Sequence, residues 1–99
     1  MTEAQALTAI QEAFYRGRYV LDPHVLKRMQ QRNVSFHEIK DAVMIATRAE
    51  AYADPKRPLI PGASSWRVFG VDFEGDELTL GIDLTQDHLG AFAVVVTVF

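Results

Sequence analysis

The sequence predicts an α+β protein, with two to three helices packed on a three- to four-stranded antiparallel sheet that follows them in the chain. Two observations carry that prediction. Through about residue 48, apolar residues recur at helical spacing and the helical segments open with capping signals. From Trp66 onward the apolar period changes to two, and a Glu74-Gly75-Asp76 turn separates two alternating runs. The length of 99 residues suits a single domain, 1–99, with one modest core.

Thr2 to about Arg16 reads as an amphipathic helix. Thr2 and Gln5 are spaced for a capping box, Leu7, Ile10 and Phe14 share a face, and Gly17 is a natural stop. Arg18 to Leu21 is a short, extended link. Asp22 caps a second helix and Pro23 takes its first position, where a missing N–H costs nothing. Asn33 supplies a left-handed stop. Ser35 and Glu38 form the capping box of a third helix, with Val34 and Ile39 as its hydrophobic staple. Phe36, Ile39, Val43 and Ala46 face the core, the helix fades near Arg48, and Ala49 to Ala53 reads either as its last turn or, the favoured reading, as a first short strand.

Asp54 to Ser65 holds three prolines and a glycine and must be a loop. Trp66 to Phe73, Glu77 to Leu84 and Ala91 to Phe99 are strands, with Thr85 to Gly90 as a polar connection. Alternation places Phe69, Val71 and Phe73 toward the helices together with Leu78, Leu80, Ile82 and Leu84. The open face then carries Trp66, Val68, Gly70, Thr79, Gly81 and Asp83. Val95, Thr97 and Phe99 form one row of the last strand. Thr97 belongs on the open face, because burying its hydroxyl is the costlier choice.

Composition narrows the function. Hydrophobic residues are 48% and charged residues 23%, which excludes a disordered chain. With no cysteine there are no disulfides and no thiolate chemistry. No apolar run approaches the roughly 20 residues of a membrane helix, and no basic, apolar leader opens the chain. A cytoplasmic location and no membrane partner are expected. His24, His37 and His88 are scattered, so no metal is expected, and no glycine-rich phosphate loop or nucleophile motif calls for a cofactor. Net charge is −3, which counts against strong non-specific nucleic-acid binding. The charge is uneven, however. Five cations lie between Arg16 and Arg32 against Asp22 alone.

Plotted at about 100° per residue, the second helix sorts into two faces. His24, Lys27, Arg28, Gln31 and Arg32 share one, while Val25, Leu26 and Met29 grip the core with the other. Such a face suits phosphate chemistry. An imidazole suits proton transfer, so His24 can serve as base or acid. Arg28 and Arg32 can clamp phosphate oxygens, and Lys27 adds charge. Thr97 can orient a phosphate oxygen if the helix borders the open sheet face. Trp66 and Arg67 are the sheet's candidates for touching a substrate or partner, although the parity of Arg67 points it away. The plainer reading is a solvated helix face, with an arginine neutralised by Asp72 or Asp83 and Trp66 at the core edge.

The run H-V-L-K-R-M-Q-Q-R-N-V-S-F-H-E-I resembles the signature of a bacterial family catalogued as domain of unknown function 4258. His24, Arg28, Met29, Arg32, Val34, Ser35 and Glu38 carry the match, and the closing V-V-V-T-V-F is similar to that family's last strand, with Thr97 in place. The resemblance spans about residues 20–99, with 1–17 an added N-terminal helix. That family is grouped with the RelE/ParE-like toxins, which implies a RelE-like arrangement and a metal-independent endoribonuclease of a toxin–antitoxin pair. Its catalytic residues would be His24, Arg28, Arg32 and Thr97, and Lys27, Gln31, Trp66 and Arg67 would contact substrate. The alternative is a non-catalytic module of the same fold that docks an acidic partner through the basic helix. RNA, an antitoxin-like protein or a second copy in a homodimer are the expected partners.

Overall fold

A computed structural model describes residues 1–53 and 61–99. Three helices, α1 (Glu3–Tyr15), α2 (Pro23–Arg32) and α3 (Phe36–Ile45), lie against a five-stranded sheet. Its strands are β1 (Tyr19–Leu21), β2 (Arg48–Ala51), β3 (Ser64–Val71), β4 (Glu77–Asp87) and β5 (Gly90–Val98), in the order β1-β5-β4-β3-β2. The expected three- to four-stranded antiparallel sheet is therefore corrected to five strands of mixed direction. The Arg18–Leu21 link is a strand in its own right, pairing parallel to β5 through Tyr19–Ala93 and Leu21–Val95. The remaining neighbours are antiparallel. Of the proline-rich loop expected at Asp54 to Ser65, residues 54–60 lie outside the described residues, and Ser64 and Ser65 already belong to β3. Among the described residues no helix is long and apolar enough to cross a membrane.

The helix boundaries follow local chemistry. Both capping boxes form: Thr2 with Gln5, and Ser35 with Glu38. The Asp22 side chain accepts the His24 N–H, and Asn33 closes α2 at φ 53°. The core lies between the helices and one sheet face. α1 supplies Ala6, Ile10, Ala13 and Phe14, all fully buried, and Phe14 stacks on Tyr19 at 4.2 Å. α2 contributes only Val25 and Met29; Leu26, expected to grip the core, is 50% exposed. Phe36 is likewise more exposed than its spacing suggested, although its ring stacks on Tyr19.

The parity of β3 is the reverse of the sequence expectation. Trp66, Val68 and Gly70 face the helices opposite Ile82, Leu80 and Leu78, while Phe73 is exposed in the turn. The cause is close approach. A Cβ at Gly70 would stand 2.5 Å from the Ala42 main-chain oxygen of α3, so only glycine lets that helix lie on the sheet. Trp66 is thus buried, its Nε1 donating to Ser64 Oγ at 2.8 Å. In β5, a register shift between Gly81 and Ile82 leaves Val96 extra. Val95 and Val98 therefore both face the helices, and Thr97 alone of that stretch sits opposite Gly81 on the other face.

Glu38 ties α3 to the β3–β4 turn. Its carboxylate accepts the Phe73 N–H at 3.1 Å and the Ser35 N–H at 3.1 Å. The Phe73 bond and then the Ser35 bond hold its pKa below the usual 4.5. A lowered folded-state pKa stabilises the fold above the unfolded value, and that contribution fades as pH falls through the folded value. Glu38→Gln should therefore lower the urea midpoint near neutrality, and the gap from wild type should close in acid below about 4.5. A gap of constant size from neutrality into acid would show that the charge of Glu38 is not what matters.

Candidate functional site

β1 is only three residues long and covers β5 no further than Val95. Beyond it the β5 edge would expose bare carbonyls, a costly condition unless they are paired. α2 lies along this stretch instead. Arg28 Nε donates to the Val98 carbonyl at 3.3 Å, and Arg32 Nη1 donates to the main-chain oxygen of Phe99. Arg28 thus stands in for a missing ladder donor, and Arg32 holds the residue that follows the strand, whose N–H donates to Thr79 of β4. Between helix and strand lies a hollow of about 460 Å³ lined by His24, Lys27, Arg28, Gln31, Thr97, Val98 and Phe99.

No Asp or Glu side chain lines this hollow. Of the five cations between Arg16 and Arg32, two are occupied elsewhere. Arg16 pairs with Glu12, and Arg18 grips both Asp87 oxygens at 2.6 Å. Lys27 meets no acid among the described residues. Arg28 spends its Nε–H on Val98, which restrains the guanidinium plane, and lines the hollow. Arg32 is bonded to Phe99 and lies outside the lining, so it shapes the strand end rather than the hollow. Neither arginine forms an ion pair with an acid among the described residues. Asp83 lies elsewhere: it is fully buried in β4 and accepts a bond from Ser65 Oγ at 2.7 Å.

His24 is held from behind. Its Nδ1 lies 2.5 Å from Asp22 Oδ1, and the ring is 60% exposed. The same Asp22 oxygen accepts the His24 backbone N–H at 3.2 Å. An ionised carboxylate only accepts, so Nδ1 carries the proton and Nε2 keeps its lone pair in the neutral ring. Asp22 was legible from the sequence as a cap but not as a partner of the imidazole. The signal was the D-x-H spacing, which sets an N-cap side chain beside the second helical residue.

The structure thus brings His24, Lys27, Arg28, Gln31 and Thr97 together and separates Trp66, which is buried on the helix side of the sheet. Reversed parity puts Arg67 on the same sheet face as Thr97. It does not line the hollow but lies against both the Tyr52 and Phe99 rings, its Nη1 3.4 Å from Glu50 Oε1. Tyr52 and Phe99 had no role in the sequence reading of the site. No protein-family model matches the chain, and no curated protein or solved structure matches it significantly.

Proposed function

We propose that the hollow between α2 and β5 binds the phosphodiester backbone of RNA and cleaves it without a metal, in the manner of a RelE/ParE-like toxin. One observation carries this reading: His24, Lys27, Arg28, Gln31 and Thr97 share a hollow with no Asp or Glu side chain in its lining. The family resemblance of the α2 and β5 motifs supports it, although fold kinship alone does not decide chemistry. His24 Nε2 takes the proton of a ribose 2′-hydroxyl. The 2′ oxygen then attacks phosphorus and the bond to the 5′ oxygen breaks. The leaving oxygen takes a proton from a solvent water, and the hydroxide so formed takes the proton held by His24, giving a 2′,3′-cyclic phosphate, a 5′-hydroxyl and the neutral imidazole again. Arg28 and Lys27 offset the charge that builds on the phosphorane, and Thr97 donates to one of its oxygens. Asp22 keeps the imidazole in the tautomer that accepts the proton.

Expression of the wild type should slow bacterial growth, and the double substitution His24→Ala with Arg28→Ala should relieve it. Equal growth of the two strains at equal protein levels would contradict a toxic ribonuclease. A second reading is non-catalytic docking of an acidic, antitoxin-like segment on the same face. Lys27 and Arg28, with no Asp or Glu side chain beside them in the hollow, favour it by offering such a segment its counter-charges. Under that reading Arg28→Glu abolishes capture of the segment while RNA stays intact with wild type.

A further inference from the structure

We infer that the Phe99 ring is a stacking platform for an unpaired base of the strand whose phosphate lies against Arg28, so the hollow takes single-stranded rather than duplex RNA. The inference rests on the proposed phosphate site and adds a base subsite to it. Phe99 lines the hollow beside Thr97 and Arg28, and it is 37% exposed.

Two contacts hold this ring in place, and a glycine leaves room beneath it. Tyr52 meets it edge-on, with centroids 5.4 Å apart at 88°. The Arg67 guanidinium lies 4.7 Å from its centroid and 4.6 Å from that of Tyr52. Arg67 Nε is buried with no hydrogen-bond partner among the described residues, so the rings rather than water are its surroundings. Gly81 provides the seat. A Cβ there would come within 3.2 Å of Thr97 Cβ and 3.5 Å of Phe99 Cε2, so a side chain would crowd Thr97 and lie against the ring. A large apolar ring that is exposed, yet immobilised next to a cationic hollow, loses little freedom when a ligand covers it. Every base offers a π face, but in a duplex both faces are taken by neighbours, which makes the unpaired strand the matching ligand.

The test uses a fluorescein-labelled 2′-O-methyl hexanucleotide, which lacks the attacking hydroxyl, and an abasic strand of the same length. Wild type should bind the base-bearing strand at least about fivefold more tightly than the abasic one, the lower end of base–aromatic stacking. Phe99→Ala should bring the two affinities together, while Phe99→Tyr keeps the preference, with thermal melting confirming that each variant is folded. Arg28→Ala should weaken both strands alike. Equal wild-type affinity for the two strands overturns the base subsite while leaving the phosphate site standing. Failure to bind either strand overturns both.

Discussion

Phe14→Ala is expected to cost about 3–5 kcal/mol, the range for deleting a buried aromatic ring. Phe14 heads the fully buried side chains by volume, and its ring stacks on Tyr19, which stacks in turn on Phe36. Removing it opens a cavity where α1, β1 and α3 meet, and the Tyr19 ring loses a packed face. Natural domains hold only about 5–15 kcal/mol in total, so the loss is a large fraction of all stability. At roughly 4–8 °C per kcal/mol for a chain of this size, the melting temperature should fall by at least about 12 °C. The result also bears on the organisation of the chain. α1 reads from the sequence as an addition to the family pattern, yet four of its residues are fully buried. A drop of only a degree or two in calorimetry would mean that α1 is a detachable appendage.

Gly70→Ala should destabilise the fold by about 3 kcal/mol, at the upper end of overpacking costs. The new Cβ would fall 2.5 Å from the Ala42 oxygen and 2.8 Å from the Ala42 Cβ. The first of these atoms is helix backbone and cannot swing aside. α3 must lift from the sheet, which loosens Ile39 and Val43 in the core. The companion change Ala42→Gly removes only the Cβ clash, and itself costs about 1 kcal/mol in a helix interior. The double variant should therefore remain at least as unstable as Gly70→Ala alone. Urea denaturation of the two variants checks this, and full recovery in the double variant would show that the side chain, not the backbone, set the spacing.

These two sites also mark how far the fold could be read from the sequence. The helices were legible because their signals are local. Thr2 with Gln5, Ser35 with Glu38, and Asp22-Pro23 with Asn33 each mark a boundary within a few residues. The β4 row of Leu78, Leu80, Ile82 and Leu84 was legible because its other row is polar or small. β3 was not, since both of its rows carry large apolar residues and nothing near Gly70 reveals that Ala42 lies against it. The parallel β1–β5 pair and the extra Val96 are likewise facts of long-range register.

The site divides along the same line. His24, Lys27, Arg28 and Gln31 come together through helical angle alone, and Thr97 was placed by the cost of burying its hydroxyl, since the extra Val96 breaks the alternation of β5. That Arg28 would satisfy the β5 edge depends on where β1 stops. The Tyr52–Arg67–Phe99 cluster depends on the register of β2, β3 and β4 and on the parity of β3, none of which a single strand displays.

The most direct measurement is the incubation of a defined single-stranded RNA with wild-type protein and with His24→Ala in the presence of EDTA, followed by analysis of the ends produced. Wild type should yield 2′,3′-cyclic phosphate and 5′-hydroxyl ends, and His24→Ala should be slower by about 10²–10⁴, the usual worth of a positioned acid–base group. RNA that stays intact with wild type, or is cut as fast by His24→Ala, would contradict a catalytic imidazole at the start of α2.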